Sequence, residues 1–436
     1  WYSQAGTPRV EVEGHYNQEN KTYQLTLSQQ VPDTPGQTNK SPMLIPFAVG
    51  LLDKQGQDLD LNVEGHDTDK TVVLPFSKEK ETFTFTNVKE APTASLLRGF
   101  SACVKLNNPQ TDDELLFLMQ HDSDDFNRWD AGQELMKRAL ITLMFSHQEG
   151  HPLEAPAHLI AGLKKVLLDK GINMALKAKM LKLPAMHYML ENLTETDTDM
   201  LAAAKDCLTK GIAETLEKEL VTLYEANQSK ERYAYQPESV AKRSLKNACL
   251  YYLVMQGKQD FIDLSLKQYE RADNMTDQMA VLGALTHLDK PESQQIFDAF
   301  YQKWQHDPLV VNKWLTVRAQ SELPSVHETI RTLLAHEAFD IKNPNKVYAL
   351  LGGFSSNLFR FHEKSGEGYH FLKNQVKTLN DLNPQVAARM VHPFTQWQKF
   401  DKTRQGVMKD CLTELKSLPK ISKDLKEIVE KSLTNA

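Results

Sequence analysis

Cysteine is scarce in this chain. Its 436 residues include four, Cys103, Cys207, Cys249 and Cys411, and no two of them form a C-x-x-C pair. Single cysteines this far apart do not indicate a disulfide framework or a zinc knuckle. In a chain of this length they are typical of buried free thiols in a reducing compartment, so we expect the protein to be cytoplasmic.

Long apolar runs and a basic surplus are missing as well. No run of about 18 apolar residues occurs, so no membrane helix is predicted and no membrane partner is expected. The formal net charge of −6 argues against a nucleic-acid partner, because phosphates require a basic surface. No signal peptide follows Trp1, and because this first residue is not Met, we interpret the chain as a processed product or a piece of a longer one.

The zinc-peptidase motif H-E-x-x-H, which places two imidazoles on one helix face, is absent. Three His-Glu pairs occur, beginning at His327, His336 and His362. The positions that need the second histidine hold Arg331, Asp340 and Gly366. We therefore predict no catalytic residue, no metal site and no cofactor in this chain, and we expect the three pairs to lie on the solvated surface.

Motifs for nucleotide binding and for other kinds of catalysis are missing too. The sequence contains no phosphate-binding loop and no G-x-S-x-G elbow, so neither nucleotide binding nor acyl transfer is predicted. Gly352 and Gly353 follow two leucines and are interpreted as the cap that ends a helix. The acidic cluster that begins at Asp122 precedes Phe126 and is interpreted as a match to the dipole of a following helix.

The first hundred residues have a period of two. Apolar residues alternate with polar ones in short runs, and turn-forming clusters separate the runs. One such stripe consists of Met43, Ile45, Phe47, Val49 and Leu51. This pattern predicts a small antiparallel β-sandwich over residues 1–105.

From about residue 108 onward the period is 3.6. Leu159, Leu163 and Val166 fall on one helix face, and Thr111 with Glu114 has the spacing of a capping box. Asn-Pro pairs at 343–344 and 383–384 indicate two further helix starts. Many amphipathic helices joined by short loops, without a strict repeat, predict a mainly α protein. We expect residues 106–436 to form a large irregular α-helical array, a superhelix of the HEAT or armadillo kind.

Several segments of the chain resemble the bacterial aminopeptidase N family, a group of gluzincin zinc metallopeptidases. They read WYSQAGTP, FLMQHDSDDFNRWDA, AKRSLKNACL, ADNMTD, NPNKVYALLGGF and LNPQVAARM. The segments are dispersed over essentially the whole chain and keep the family's order. The chain is therefore identified as resembling the C-terminal half of such an enzyme, with its small β domain and its helical domain.

The resemblance implies that zinc, the zinc-binding helix, the G-x-M-E-N motif and the catalytic tyrosine belong to a parent catalytic domain outside this chain. Met189-Leu190-Glu191-Asn192 lacks the glycine of that motif and is interpreted as a chance match. The partners implied are the N-terminal and catalytic domains of the same parent chain, and short peptides in the parent cavity. This chain alone is expected to be inactive in peptide hydrolysis.

The family's helical domain walls off an internal substrate cavity, and the arginine after N-P-Q-V-A faces it. The matching residue here is Arg389, our substrate-cavity candidate. A guanidinium at this place could bind a peptide carboxylate or carbonyl, or it could be a surface charge paired with an acid. The functional hypothesis is a non-catalytic region that shapes and gates the cavity of a zinc aminopeptidase. The alternative is a stand-alone helical module that binds a peptide or protein.

Overall fold

The structure is a computed structural model that describes residues 1–107, 110–229 and 231–434. These residues form two compact units. The first comprises Trp1–Arg138 and Ala157–Leu183, and the second comprises Ala139–Pro156 and the residues from Pro184 onward. The change of period near residue 108 lies outside the described residues, and the boundary between residues 105 and 106 stays a prediction.

Two β-sheets form the core of the first unit. Their strands are β1 (Arg9–Asn17), β2 (Thr22–Gln30), β3 (Ile45–Leu52), β4 (Asn62–Val63), β5 (Val72–Phe76), β6 (Lys80–Thr86), β7 (Thr93–Leu96) and β8 (Lys105–Asn107). One sheet has the order β4-β6-β2-β1-β8 and the other β5-β3-β7. All neighbours are antiparallel except β1 and β8. The predicted antiparallel β-sandwich is confirmed, with one parallel pair.

Alternating burial explains why these runs form sheets. Leu25 and Phe85 from the larger sheet share one hydrophobic core with Phe47 and Leu74 from the smaller sheet. The predicted stripe along β3 is buried at every position. Because each fully buried side chain of this kind contributes about 1.5–3 kcal/mol, the shared core stabilises both sheets together.

Arg98 carries a buried positive charge in the first unit. Its Nη2 donates to Asp58 at 2.6 Å and to Asp122 at 2.9 Å, and its Nε donates to Ser95 at 2.9 Å. Gly50 on β3 leaves the necessary space, since a Cβ there would lie 2.0 Å from the guanidinium carbon.

The interpretation of the acidic cluster as a match to a helix dipole is confirmed for Asp124, which accepts from the N–H of Asn127, and for Asp125, which lies in the first turn of that helix. It is wrong for Asp122, whose carboxylate is buried against Arg98.

Helices account for most of the remaining described chain. They are α1 (Asp112–His121), α2 (Asp125–Gln148), α3 (Ala157–Leu168), α4 (Met174–Met180), α5 (Met186–Asn192), α6 (Thr198–Thr215), α7 (Glu217–Ala226), α8 (Pro237–Met255), α9 (Gln259–Arg271), α10 (Met275–Leu285), α11 (Pro291–Trp304), α12 (Pro308–Ala319), α13 (Val326–Leu334), α14 (Pro344–Val347), α15 (Gly353–Ser355), α16 (Leu358–Phe361), α17 (Glu367–Leu382), α18 (Pro384–Met390), α19 (Lys402–Lys416) and α20 (Lys423–Thr434). A π turn spans Tyr348–Gly352, and 3-10 turns span Arg98–Phe100 and His392–Lys399. Within the described ranges, no helix combines the length and the apolar character needed to cross a bilayer.

Local capping chemistry sets several of the helix ends. Thr111 and Glu114 form the predicted capping box of α1. The side chain of Asn343 accepts from the N–H of Asn345 at the start of α14, as the Asn-Pro pair predicts. Gly257 follows α8 with a φ of 68°, a conformation that favours glycine. The predicted mainly α character and the predicted helix starts at Thr111 and Asn343 are confirmed.

Arg404 on α19 joins distant parts of the second unit with a side chain that is 1% exposed. Its Nη2 lies 2.9 Å from Asp199, and its Nη1 lies 2.6 Å from Asp401 and 3.4 Å from Asp197. Its Nε donates to the backbone carbonyl of His362 at 2.5 Å. The planar guanidinium has enough donors to bind these groups at once, which a lysine ammonium does not.

The imidazole of His362 is buried next to Arg404. It stacks on the ring of Phe400 with a centroid distance of 4.0 Å, and its Nδ1 lies 2.9 Å from the hydroxyl of Tyr369. Burial, and then the positive charge of Arg404, hold the pKa of His362 well below its ordinary value. The expectation that this histidine lies on the solvated surface is wrong, because its ring belongs to an aromatic core.

Replacing Arg404 with methionine should destabilise the second unit strongly. The substitution leaves Asp197 and Asp401 without their shared counterion, and breaking a buried ion pair typically costs about 3–5 kcal/mol. The matched control is Arg331→Met, because Arg331 is exposed and pairs with Glu367 at the surface, where an ion pair contributes about 0–1 kcal/mol. Urea unfolding followed by circular dichroism measures both; equal stability of the two variants would contradict the assigned role of Arg404.

The buried His362 should make stability fall on the acid side of neutrality. In the unfolded chain it binds a proton near its ordinary pKa of about 6.5, whereas in the folded chain it stays neutral to a lower pH. Its contribution is therefore complete above about pH 6.5 and is lost as the pH falls toward the folded pKa. His362→Gln should reduce the difference in calorimetric melting temperature between pH 8 and pH 5. If His362→Gln shows the same difference in melting temperature between the two pH values as the unaltered chain, His362 does not cause the loss of stability.

Candidate functional site

Arg389 lies in the last turn of α18 and is exposed. The helix begins at Asn383, whose side chain accepts from the N–H of Val386 at 3.2 Å, and Pro384 occupies its first turn. Pro384 has no N–H to satisfy there and has a preset φ, so the sequence itself fixes where the helix starts. The start at Asn383 therefore determines the position of Arg389.

The segment that lies opposite Arg389 contains Gly352 and Gly353. Gly352 and Gly353 have φ values of −65° and −56°, so the chain continues from the π turn into α15. The prediction that they end a helix is wrong. A Cβ at Gly353 would lie 3.3 Å from the Cα of Thr316 and the Cβ of Ala319, so the absence of a side chain lets this segment pack closely on α12. A sequence signal existed, because apolar residues at 347, 350, 351 and 354 continue the helical period through both glycines.

A pocket of about 360 Å³ lies between these two segments of the second unit. Its lining residues are Tyr348, Gly352, Ser355, Ser356, Arg389, Met390, His392 and Pro393. The guanidinium carbon of Arg389 is 5.9 Å from the centre of the Tyr348 ring. Ser355 and Ser356 both donate their hydroxyls to the carbonyl of Gly352, at 3.1 and 2.8 Å. Apart from Arg389, sequence reasoning missed this set, because a π turn has no local sequence signature.

The electrostatics of the pocket depend on Arg389. Among the described residues, no carboxylate lies within 4.0 Å of its guanidinium, so the alternative of a surface arginine paired with an acid is not supported. Contact with the Tyr348 ring orients an exposed cation with roughly 0.5–1 kcal/mol. The arrangement leaves planar donors free for a carboxylate or carbonyl oxygen.

The three His-Glu pairs lie elsewhere in the second unit. His327 is buried, with Nε2 3.3 Å from Glu363 and its ring edge-on to Phe354. His336 packs against Trp314, and its Nδ1 accepts from a backbone N–H. The expectation of a solvated surface is wrong for His327 as it is for His362, because amphipathic helices bury one face whatever motif falls on it.

Metal-binding side chains are not grouped in the parts of the chain that the structure describes: no three His, Cys, Asp or Glu residues are close enough to hold an ion. The chance match Met189-Leu190-Glu191-Asn192 lies on α5, and its first two side chains are buried in the core. Both residues are used for packing, and the interpretation of this segment as a chance match stays a prediction.

Two family models match the chain. Residues 112–434 match a domain of unknown function, DUF3458_C, described as ARM repeats, and residues 6–109 match DUF3458, described as an Ig-like fold. Both descriptions agree with the β-sandwich and the irregular helical array predicted from the sequence.

Known proteins are similar over the same length. The chain is 40% identical over 435 residues to Aminopeptidase N of Escherichia coli strain K12, covering 99% of this chain and 50% of that protein. It is 35% identical to Aminopeptidase N of Haemophilus influenzae, covering 99% and 49%. The crystal structure of Legionella pneumophila aminopeptidase A in complex with aspartic acid matches with a TM-score of 0.85 and 28% identity, covering 99% of this chain and 49% of that one.

The resemblance read from the sequence segments is thus confirmed. The chain spans about half the length of the curated relatives it matches. The model that covers residues 112–434 accounts for most of the chain. The chain therefore belongs to the DUF3458_C family of ARM-repeat domains, joined here to an Ig-like DUF3458 domain.

Proposed function

We propose that this chain is the non-catalytic C-terminal region of a zinc aminopeptidase that releases N-terminal amino acids from peptides. The observation that carries the proposal is the match of 99% of the chain to one half of proteins named Aminopeptidase N. A similarity that uses nearly all of this chain and half of each relative points to a part of a larger enzyme. Its partners are then the remaining domains of the parent chain, and short peptides.

Zinc belongs to the parent enzyme in this proposal and not to this chain. Among the described residues, His362 makes a buried contact with Tyr369, and the buried His327 lies 3.3 Å from the partly exposed Glu363. The second histidine of the motif is replaced in all three His-Glu pairs. These residues do not fit a zinc ion, and we assign none of them a step of the hydrolysis.

The role of this region is to shape and gate the internal cavity of the parent enzyme, and Arg389 is its substrate-facing residue. The support is geometric: an exposed guanidinium in the last turn of a capped helix, oriented by Tyr348, beside a pocket large enough for part of a peptide. A peptide that reaches this pocket can pair its carboxylate or a carbonyl oxygen with Arg389. The residue therefore positions substrate and takes no part in bond cleavage.

Two further parts of the proposal concern the domain boundary and the location of the protein. We place the boundary between the β-sandwich and the helical domain at residues 105 and 106. We place the protein in the cytoplasm, and its four free cysteines agree with a reducing compartment. A stand-alone peptide-binding module is the alternative, and the match to half of longer enzymes does not favour it.

The test of Arg389 is an Arg389→Ala substitution in the intact parent enzyme. Loss of a hydrogen bond to a charged group costs about 1.5–3 kcal/mol, which is about 10- to 150-fold in kcat/KM for peptides long enough to reach the pocket. An aminoacyl chromogenic substrate has no distal carboxylate and should be cleaved as before. The measurement is kcat/KM over a series of peptides of increasing length.

Arg271→Ala is the matched control, because Arg271 is also an exposed basic residue in the last turn of a helix but does not line the pocket. For long peptides, kcat/KM of Arg389→Lys should lie between the values of Arg389→Ala and the unaltered enzyme, because lysine keeps the charge but lacks the planar donors. Identical kinetics for Arg389→Ala and the unaltered enzyme at every peptide length would remove the proposed role.

A further inference from the structure

A second pocket, of about 500 Å³, lies among α11, α12 and α13 of the second unit. It shares no lining residue with the pocket at Arg389. Its volume is within the range of roughly 300–1,000 Å³ that is typical of small-molecule sites. Most of its lining side chains carry polar groups, and Tyr301 and Trp314 add aromatic surface.

Arg318 of α12 is the cation of this pocket. Its guanidinium carbon lies 5.3 Å from the centre of the Trp314 ring and 5.6 Å from that of Phe297, so the two aromatic rings hold it in place. Its Nη2 donates to the side-chain oxygen of Gln294 at 3.1 Å. No carboxylate among the described residues lies within 4.0 Å of it. Burial lowers the pKa of Arg318, and Asp298 opposes that shift only in part.

This environment favours an anionic ligand. A partly desolvated guanidinium without a direct counterion has lost hydration that no protein carboxylate replaces at contact distance. An incoming carboxylate can pair with it through charge-assisted hydrogen bonds. Since the rings already fix the arginine, little side-chain entropy is lost on binding.

Negative charge lines the same pocket. Asp298 of α11 accepts a 2.6 Å hydrogen bond from the side-chain nitrogen of Gln294, so the amide of Gln294 bridges Arg318 and Asp298 without letting them meet. Glu328 of α13 also lines the pocket, and its carboxylate has no hydrogen-bond or ion-pair partner among the described residues. The pocket therefore presents a guanidinium and two carboxylates, held apart.

We propose that this pocket binds a zwitterionic amino acid or short peptide, with the ligand carboxylate on Arg318 and its ammonium group between Asp298 and Glu328. Both charges of such a ligand find a partner there, whereas a simple anion meets the two carboxylates. This proposal rests on the pocket's own residues and is independent of the proposed aminopeptidase role and of Arg389.

Isothermal titration calorimetry on the 436-residue chain tests the proposal with three probes. L-alanyl-L-alanine carries both charges, its N-acetyl derivative lacks the ammonium group, and its C-terminal amide lacks the carboxylate. We expect the dipeptide to bind at millimolar concentration or below, and each derivative to bind at least about tenfold more weakly, because each loses a charge-assisted contact. No detectable binding of the dipeptide, or equal binding of all three probes, would overturn the proposal.

Two variants locate the site. Arg318→Gln should weaken dipeptide binding at least about tenfold, whereas Arg331→Gln on the neighbouring α13 should not, because Arg331 is paired with Glu367 and does not line the pocket. Circular dichroism verifies that both variants fold. If Arg318→Gln does not fold, the three probes on the unaltered chain still decide the question. Equal dipeptide affinity of a folded Arg318→Gln and the unaltered chain would place binding elsewhere and refute the site.

Discussion

The guanidinium of Arg404 holds together parts of the second unit that are far apart along the chain. It joins Asp197 and Asp199, before and within the first turn of α6, to Asp401 and to the carbonyl of His362. Next to it the backbones of residues 196 and 400 form a parallel bridge. In a simple helical array each element contacts only its neighbours in sequence. Here an ion-pair network and a backbone bridge connect α6 with α19, so the positions of the helices between them depend on this contact.

The aromatic core next to Arg404 extends from this network to the Arg389 pocket. Phe361 lies 5.7 Å from Phe354, on the segment that carries one wall of the pocket, and 6.3 Å from Phe394, in the turn that follows Arg389. His362 is the next residue after Phe361, and its ring is part of the same core. Packing of the aromatic core therefore fixes the backbone on both sides of the Arg389 pocket. A residue that positions substrate needs such a rigid support.

Much of the fold could be predicted from the sequence because local chemistry determines it. Alternation along β2, the capping box at Thr111 and the Asn-Pro starts at 343 and 383 all act within a few residues. The failures have a common cause. The partners of Asp122 and of the Gly353 backbone lie 24 or more residues away, and the contacts of His362 include residues more than 100 positions distant. Of the Arg389 pocket, only the arginine was predicted, because its other wall depends on a π turn that tertiary packing selects.

Under the proposed function, catalysis belongs to the remainder of a parent enzyme, and this chain controls which substrates reach it. The most direct test is to mix the chain with a separately produced catalytic half, and to measure zinc content and hydrolysis of an aminoacyl chromogenic substrate. The account predicts no stoichiometric zinc and no hydrolysis by the chain alone, and a complex with altered activity after mixing. Stoichiometric zinc in the isolated chain, or hydrolysis by it, would contradict the account.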